Sequence, residues 1–314
     1  MSSGAIYIIT QDSRYIGLLL NSVASLKRAM PDLPITVFSQ FAIESPMFER
    51  VIRVEGSSDG FYDKTRFMRQ TPYDRTLFVD ADTYFIDAVP ELLAILDQFD
   101  CAATHEEYLN TDWGKQYERA DIPASLPEFN TGILAFKRSA RMDRVLEEWS
   151  RLYCWFMESH PGKEINDQPF FRAALYVNDA RIATLTREYN CKFRGQGYLN
   201  GRVKILHGHV DYQLGESFVG KASAVLNASS RPRVYIAGAV YEQKLIGRIL
   251  DRRKAGFIGR FALLPEPALV AGAKRLRQMF QTRGSRKVFL RLIGLGRNMS
   301  AEVHSKSAPV PAHD

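Results

Sequence analysis

Short, almost continuously apolar runs recur along most of the chain. Runs of this kind, unlike strictly alternating ones, are typical of strands that are buried on both faces of a sheet. Amphipathic stretches with a helical period lie between them. We predict strands at residues 5–9, 35–38, 51–54, 76–80, 132–136 and 203–206. We predict helices at residues 15–30, 90–98, 139–158 and 165–177.

This order of elements defines a fold class. Strands that alternate with helices predict an α/β fold with a Rossmann-like, mainly parallel central sheet flanked by helices. A length of 314 residues allows one large domain or two smaller ones. With 46% hydrophobic and 25% charged residues, the composition excludes a largely disordered, collagen-like or coiled-coil protein.

Cysteine usage and hydropathy bear on the compartment. Cys101, Cys154 and Cys191 are widely spaced, which favours small buried side chains in a reducing compartment over a thiolate zinc site. The first apolar run soon reaches polar residues, so we predict no secretory signal. No apolar stretch approaches the ~20 residues of a membrane-spanning helix. We therefore expect a cytoplasmic protein.

Charge is concentrated in the last third of the chain. The net charge is +7, and residues 215–314 carry 18 Lys and Arg against 6 Asp and Glu. Helical patterns at 268–281 and 287–293 predict a basic helical C-terminal extension that ends in a disordered segment. Its amphipathic pattern combines apolar and basic positions: Leu269, Ala273, Leu276, Phe280, Lys274, Arg275, Arg277, Arg283, Arg286 and Lys287.

Three interpretations of this extension remain open. A basic amphipathic helix can lie on an anionic membrane surface, as a peripheral membrane protein does. It can equally dock on the rest of the chain or on a second subunit. Nucleic acid is not an expected partner, because the extension lacks the interleaved aromatic side chains of a base-stacking surface.

The most informative motif is Asp80-Ala81-Asp82, which follows an apolar strand. Ligands of open α/β sheets bind beyond the carboxyl ends of the strands, which is where this strand would deliver both carboxylates. Two such oxygen ligands suit Mg²⁺ or Mn²⁺ bound to a diphosphate. The alternative is a turn in which both residues only cap the next element.

A histidine at the end of a later strand adds to this motif. His207 follows the predicted strand at 203–206 and would complete a set of two carboxylates and an imidazole around a divalent ion; His209 is the weaker candidate. A dehalogenase-like phosphatase is the rival interpretation of the two aspartates. Its Asp-x-Asp-x-Thr motif requires threonine where this chain has Tyr84.

Five segments, in this order, resemble those of nucleotide-diphosphosugar transferases of GT-A fold. Within that fold the chain is most similar to glycosyltransferase family 8, the group of glycogenin and the bacterial lipooligosaccharide galactosyltransferases. The resemblance extends over roughly residues 5–210. The matching segments are 8–15, 63–66, 80–82, 129–134 and 166–169.

The resemblance implies roles for individual residues in binding the donor. Thr10 and Tyr15 would hold the base, with the Tyr15 ring as a stacking face. Lys64, on a helix, would contact the sugar-nucleotide and serve catalysis. The segment Asp80, Ala81 and Asp82 would form the metal and ribose site. Taken singly, each of these segments has an ordinary structural explanation.

The resemblance also implies which residues surround the donor sugar. Asn130, Thr131 and Gly132 would line the sugar, although Asn and Gly would equally make a turn into a strand. Asp167 and Gln168 would face the sugar and its anomeric carbon as catalytic residues. A helix cap is the competing explanation for that pair.

The sequence departs from the family after the histidine. Family members commonly continue His-x-x-Gly-x-x-Lys, where the lysine grips the diphosphate, whereas residues 207–213 read HGHVDYQ. No lysine stands at that spacing. The candidates to replace it are Lys221, Arg231, Arg233 and His209.

The implied activity is metal-dependent transfer of a sugar from a nucleotide diphosphosugar, with UDP as the expected nucleotide. The acceptor would be a hydroxyl of a glycan or a lipid-linked glycan, and the family's stereochemistry is retaining. Residues 1–214 would form the GT-A catalytic domain, 215–264 its completion or a subdomain, and 265–314 the basic tail. A catalytically silent GT-A domain that binds sugar-nucleotides or acts as a scaffold is the alternative.

Overall fold

The computed structural model describes residues 1–56, 59–106, 121–163, 165–208 and 216–242. Twelve strands lie within these ranges: β1 Ser3–Ile9, β2 Ile35–Ser39, β3 Arg50–Arg53, β4 Arg75–Val79, β5 Thr83–Phe85, β6 Cys101–His105, β7 Phe129–Lys137, β8 Ile182–Leu185, β9 Gln196–Leu199, β10 Ile205–His207, β11 Arg233–Ile236 and β12 Ala239–Glu242. Six α-helices accompany them: α1 Tyr15–Ala29, α2 Gly60–Met68, α3 Glu91–Ala94, α4 Ala140–Ser159, α5 Gln168–Val177 and α6 Glu216–Leu226.

Seven strands form the central sheet, in the order β3-β2-β1-β4-β7-β6-β8. The pairs β1/β2, β2/β3, β1/β4 and β6/β8 are parallel, whereas β7 is antiparallel to both β4 and β6. Six strands thus run in one direction and β7 in the other. The predicted α/β fold with a mainly parallel central sheet is confirmed.

Helices pack on both faces of this sheet because its strands are apolar on both sides. On β1, Ile6 faces one core cluster, while its neighbours Ala5 and Tyr7 face the other. The first cluster includes residues of α2, α4 and α5, and the second includes residues of α1 and α3. Runs without alternation therefore indicated correctly that both faces are buried.

Side chains at the helix starts fix where several helices begin. The Asp59 carboxylate accepts hydrogen bonds from the backbone N–H groups of Phe61 and Tyr62 at the start of α2. Ser139 caps α4 in the same way through Met142 N–H. Such caps satisfy donors that have no partner within the helix.

Four predictions of local structure were wrong in detail. The strand predicted at 203–206 is β10, which pairs with β5 outside the central sheet. The 90–98 segment breaks into the short α3 and a 3₁₀ turn at Ile95–Asp97. The helix predicted from 165 begins at Gln168, since Asn166 and Asp167 shape its start. Cys154 is only half-buried, although Cys101 and Cys191 are buried as predicted.

A third, smaller core cluster lies beneath the elements that follow β8. It joins α6 to β9, β10 and β11 through Leu199, Leu206, Val219 and Tyr235. None of the helices among the described residues combines the length and hydropathy that a membrane crossing requires. The basic C-terminal extension and its predicted helices lie outside the described residues.

Candidate active site

The Asp80-Ala81-Asp82 segment connects β4 to β5 at the carboxyl edge of the sheet. The chain continues from β1 to β2 on one side, whereas β4 flanks β1 on the other. A crevice between strands that diverge in this way is the usual ligand site of an open α/β sheet. The predicted location of both carboxylates is therefore correct, and Ala81 packs below them in the core that contains α1.

Hydroxyl groups hold this segment in place. Thr83 Oγ1 donates to the Asp80 carbonyl at 2.9 Å and lies 2.7 Å from Ser22 Oγ on α1. Ser22 in turn lies 3.0 Å from the buried Tyr7 hydroxyl of β1. This buried hydrogen-bonded series fixes the aspartate segment against α1 and the sheet.

His207 joins the two aspartates because β10 pairs with β5, which places His207 opposite Thr83. Its Nε2 lies 3.3 Å from Asp82 Oδ1 and 3.7 Å from Asp80 Oδ2. One ligand atom of each of the three residues lies within 4.8 Å of the others. The backbone N–H of Gly208 donates to the Asp82 carbonyl at 3.1 Å, with glycine at a φ of 82°, and fixes this approach.

The chemistry of this trio fits a divalent cation. Burial raises the pKa of the Asp80 carboxyl above its ordinary value; Lys64 and His207 oppose that effect, and Asp82 adds to it. Two carboxylates that face one imidazole concentrate negative charge that a cation would offset. Carboxylate oxygens suit Mg²⁺ and Mn²⁺, and imidazole is also a common ligand of transition metals.

Because Gly132 has no side chain, it leaves the space that the His207 ring and the Asp80 carboxylate occupy. A Cβ at this position would lie 2.2 Å from His207 Cε1 and 2.8 Å from Asp80 Oδ2, closer than real contacts allow. Its backbone carbonyl also accepts the Asp80 N–H at 2.8 Å. The glycine predicted to line a donor sugar is therefore required, in this structure, beside the candidate metal ligands His207 and Asp80.

We expect Gly132→Ala to weaken Mn²⁺ binding strongly, because the methyl group must displace the His207 ring or the Asp80 carboxylate. Calorimetric titration with Mn²⁺ would measure the effect. Gly220→Ala is the matched control, since no atom lies near a Cβ at that position on α6. Equal Mn²⁺ affinities in the two variants would contradict the assigned site.

The beginning of strand β7 places Asn130, Thr131 and Gly132 at this edge of the sheet. Because β7 is antiparallel, its beginning lies where β4 ends. Its pairing with β6 is irregular: Thr104 pairs with Asn130, but the preceding Ala103 pairs with Leu134. Residues 131–133 therefore form a bulge against β6, a feature that often occurs beside active sites.

Lys64 occupies the centre of a buried ionic cluster next to the trio. Its Nζ donates to Thr131 Oγ1 at 3.0 Å and lies 3.4 Å from both Asp80 Oδ1 and Asp167 Oδ2. Burial alone would lower the pKa of this ammonium, but Asp167 and Asp80 outweigh burial and raise it. Lys64 is therefore charged at neutral pH and links the trio to Asp167.

Asp167 immediately precedes α5, at the N-cap position, but its side chain does not cap the helix. Its side chain makes no cap hydrogen bond; Asp167 Oδ2 instead accepts the Thr131 hydroxyl at 2.9 Å. The capping acceptor is Asn166 Oδ1, which binds the Gln168 N–H. Trp149 Nε1 donates to the Asp167 carbonyl at 2.9 Å and orients the residue from α4. The cap interpretation therefore does not explain the buried carboxylate.

A second polar network extends from the trio. His207 Nδ1 lies 2.8 Å from Asn190 Oδ1, and Asn190 Nδ2 donates to Asn130 Oδ1 at 2.8 Å. Asn130 Nδ2 donates to Glu106 Oε2 at 2.8 Å and to Gln168 Oε1 at 3.0 Å. We call Glu106, Asn130, Asn190 and His207 the amide chain. Asn130 and Gln168, both predicted to face the donor sugar, are in contact with each other.

The predicted base-binding residues lie along the same edge. Thr10 follows β1 directly and is buried, and the exposed Tyr15 begins α1. Between them Gln11 adopts a positive φ of 68°; its N–H donates to Gln40 Oε1 and its Nε2 to Asp63 Oδ2. This turn borders α2, the helix that carries Lys64.

Sequence reasoning missed several polar residues of the site. Glu106, Glu128, Asn190 and Lys192 were not singled out, yet Gln168 Nε2 donates to Glu128 Oε1, and Lys192 Nζ lies 3.3 Å from Glu106. Glu106 immediately follows β6, whose first four residues are buried. A polar residue at the carboxyl end of a buried strand is the signal that identified Asp80, and it would have identified Glu106.

Among the described residues, the candidates to replace the family's diphosphate-binding lysine differ in their burial. Arg233 is buried and donates to the backbone carbonyls of Leu226 and Gly201, so it supports the small sheet and does not face a ligand. Lys221 and Arg231 are exposed. His209, the weaker metal candidate, lies outside the described residues.

No protein-family model matches the chain, and no curated protein matches it in sequence. Among solved structures it is similar to mouse xyloside xylosyltransferase 1, at 17% identity and a TM-score of 0.48, over 68% of this chain and 100% of that chain. It is also similar to an active-site mutant of LgtC, at 15% identity and a TM-score of 0.49, over 70% and 95%.

The galactosyltransferase LgtC in complex with donor and acceptor sugar analogues is another match, at 14% identity and a TM-score of 0.44, over 60% of this chain and 74% of that chain. These proteins are sugar transferases by name. At such low identities and TM-scores, however, the similarity by itself does not identify the reaction that this chain performs.

Proposed function

We propose that the protein is a metal-dependent glycosyltransferase that moves a sugar from a nucleotide diphosphosugar to an acceptor hydroxyl. The observation that carries this proposal is that the predicted metal ligands and the predicted donor-sugar residues lie in contact with one another. Asp80, Asp82 and His207 converge at the carboxyl edge of the sheet, and Lys64 connects them to the buried Asp167. Sequence reasoning assigned these residues to metal and donor sugar independently of their contacts.

The trio would hold Mn²⁺ or Mg²⁺, which supplies a Lewis acid for the charge that develops on a diphosphate leaving group. Lys64 adds a fixed positive charge beside Asp80. Charges that are already in place when the reaction begins stabilise a transition state without reorganisation. The buried contacts of Lys64 with Thr131 and Asp167 supply that rigidity.

Asp167 and Gln168 are proposed to act on the donor sugar. The Asp167 carboxylate is held by Thr131 and Lys64, so it would serve as an oriented negative charge toward positive character at the anomeric carbon. The Gln168 amide is oriented by Asn130 and Glu128. We extend the proposal to retention of the anomeric configuration, as the family resemblance implies.

The donor end of the site is proposed to lie along the edge from β4 to β1. Thr10 and Tyr15 would contact the base there, and the exposed ring of Tyr15 offers a stacking face. A UDP-sugar is the proposed donor. A glycan or a lipid-linked glycan is the proposed acceptor, with the basic tail bringing the protein to an anionic membrane surface.

The first test is a panel of UDP-, GDP-, CDP- and dTDP-linked sugars, assayed for binding and hydrolysis with and without Mn²⁺. We expect one donor to bind and turn over only when the metal is present. Donor binding without turnover, even with glycan and lipid-linked acceptors added, would favour the silent sugar-nucleotide binder. If no donor bound in the presence of metal, the proposal would be wrong.

A further inference from the structure

At one end of the amide chain, Asn130 contacts two groups of fixed hydrogen-bonding character. Asn130 Oδ1 accepts the backbone N–H of Gly132 at 3.0 Å, and a backbone N–H can only donate. Asn130 Nδ2 faces the Glu106 carboxylate, which Lys192 Nζ approaches to 3.3 Å. An ionised carboxylate can only accept. Both contacts require the same orientation of the Asn130 amide.

The orientation of the Asn130 amide determines the orientation of the next amide in the series, and through it which nitrogen of the imidazole carries a proton. Because Asn130 presents its oxygen to Asn190, the group that Asn190 presents in return must be its NH₂. Asn190 then turns its oxygen toward His207 Nδ1, at 2.8 Å. An amide oxygen accepts only, so Nδ1 must carry a proton. The reversed orientation would set Asn130 Oδ1 against the Glu106 carboxylate.

Because both amides are buried, reversing their orientation would cost free energy. Asn190 is fully buried and Asn130 is 2% exposed, so water cannot replace a lost partner at either amide. Each unsatisfied buried polar group costs about 1–3 kcal/mol. The hydrogen-bonding positions of Asn130 are occupied by Gly132, Asn190, Glu106 and Gln168. Asn130 therefore serves within the protein network.

We infer that Asn190 is a positioning residue that keeps the proton of His207 on Nδ1 and aims Nε2 at Asp80 and Asp82, with Asn130 and Glu106 setting its direction. The inference rests on the proposed metal site. An Nδ1–H held in this way fixes the ring plane and leaves Nε2 as the atom that can ligate a cation. Such outer partners typically change metal affinity about 10- to 100-fold.

Nuclear magnetic resonance of the unsubstituted protein tests the inference directly. With ring-¹⁵N-labelled histidine, and His207→Gln to assign the signal, we expect a His207 Nδ1–H that exchanges slowly with water. It should persist when diamagnetic Mg²⁺ is added, while the Nε2 resonance shifts. A proton lost from Nδ1, or an Nδ1–H that exchanges freely, would overturn the inference.

A pair of variants gives the second test. Asn190→Leu removes the acceptor and keeps the number and branching of the side-chain heavy atoms, and we expect Mn²⁺ affinity to fall about 10- to 100-fold. The control is Asn227→Leu, because the Asn227 amide supports the segment before β10 through both backbone groups of Val203 and does not contact the His207 ring. Equal losses of affinity in both variants would show a merely structural role.

The two tests separate this inference from the proposed function. If the unsubstituted protein bound no divalent cation, the metal-dependent mechanism would fail, while the protected Nδ1–H would still decide how Asn190 holds the ring. If a metal bound and Asn190→Leu kept full affinity, the inference would fail and the transferase proposal would stand. Metal titration and ring spectroscopy are both independent of turnover.

Discussion

Replacing Asp82 with alanine is expected to abolish metal-dependent turnover while the protein stays folded. The change removes one of two carboxylates from the trio, and a catalytic metal contributes several kcal/mol to the stabilisation of a developing charge. A loss on the order of 10³-fold in kcat/KM follows from about 4 kcal/mol. Steady-state kinetics with the donor identified by the panel would measure it.

Stability should not suffer, for reasons visible in the structure. The hydrogen bond that ties Asp82 to Gly208 uses the Asp82 carbonyl, which alanine retains. The change also removes one of two like charges that face each other near His207. We therefore expect the metal-free variant to remain folded, with a free energy of unfolding close to that of the parent protein.

Metal-induced stabilisation gives a second measure of this variant. A cation at about 100 times its Kd stabilises a folded protein by about 2.7 kcal/mol, because it binds only the folded state. Asp82→Ala should lose most of that gain. Asp87→Ala, which removes a half-exposed carboxylate paired with Arg202 beyond β5, is the control and should retain it. Full activity of Asp82→Ala would refute the metal assignment.

Replacing Lys64 with methionine is expected to cause the largest loss of stability at the site. Lys64 compensates the buried carboxylate of Asp167 and the adjacent Asp80. Removing one partner of a buried ion pair typically costs about 3–5 kcal/mol, because the other charge is left without compensation. Denaturant unfolding near pH 7 would measure the loss, since the raised pKa keeps Lys64 charged there.

A double variant separates stability from function. Asp167→Asn removes the stranded charge, so Lys64→Met combined with Asp167→Asn should recover much of the lost free energy of unfolding. Activity should not recover, because both proposed catalytic groups are gone. Lys221→Met on the exposed side of α6 is the control and should change neither quantity. A negligible destabilisation by Lys64→Met would contradict the buried pair.

Five of the seven central strands were predictable because their signal is local, whereas β6 and β8 were not predicted. Apolar runs of five or so residues, such as those of β1 and β4, are typical of strands with both faces covered. The direction of β7 was not predictable, because orientation depends on its partners β4 and β6. The same limit applies to β10, whose apolar run fills a small core beside β5 and not the central sheet.

The site was predictable where its residues form short motifs. Asp80 and Asp82 are separated by a single residue, and Asp167 with Gln168 forms a recognisable pair. The role of Lys64 as a link between Asp80 and Asp167 was not predictable, because the sequence does not reveal which polar groups are buried together. Asn190 escaped notice for the same reason, since its neighbours Asn130 and His207 are distant in sequence.

The bulge at residues 131–133 limits how the chain length can vary. Irregular segments of a strand commonly tolerate insertions and deletions, but here the bulge sets which way Asn130 and Thr131 project while β7 remains paired with β4. Because side chains alternate along a strand, inserting or deleting one residue would move the Asn130 amide and the Thr131 hydroxyl each to the other face of the sheet. The irregular part of β7 should thus be as fixed in length as the paired part.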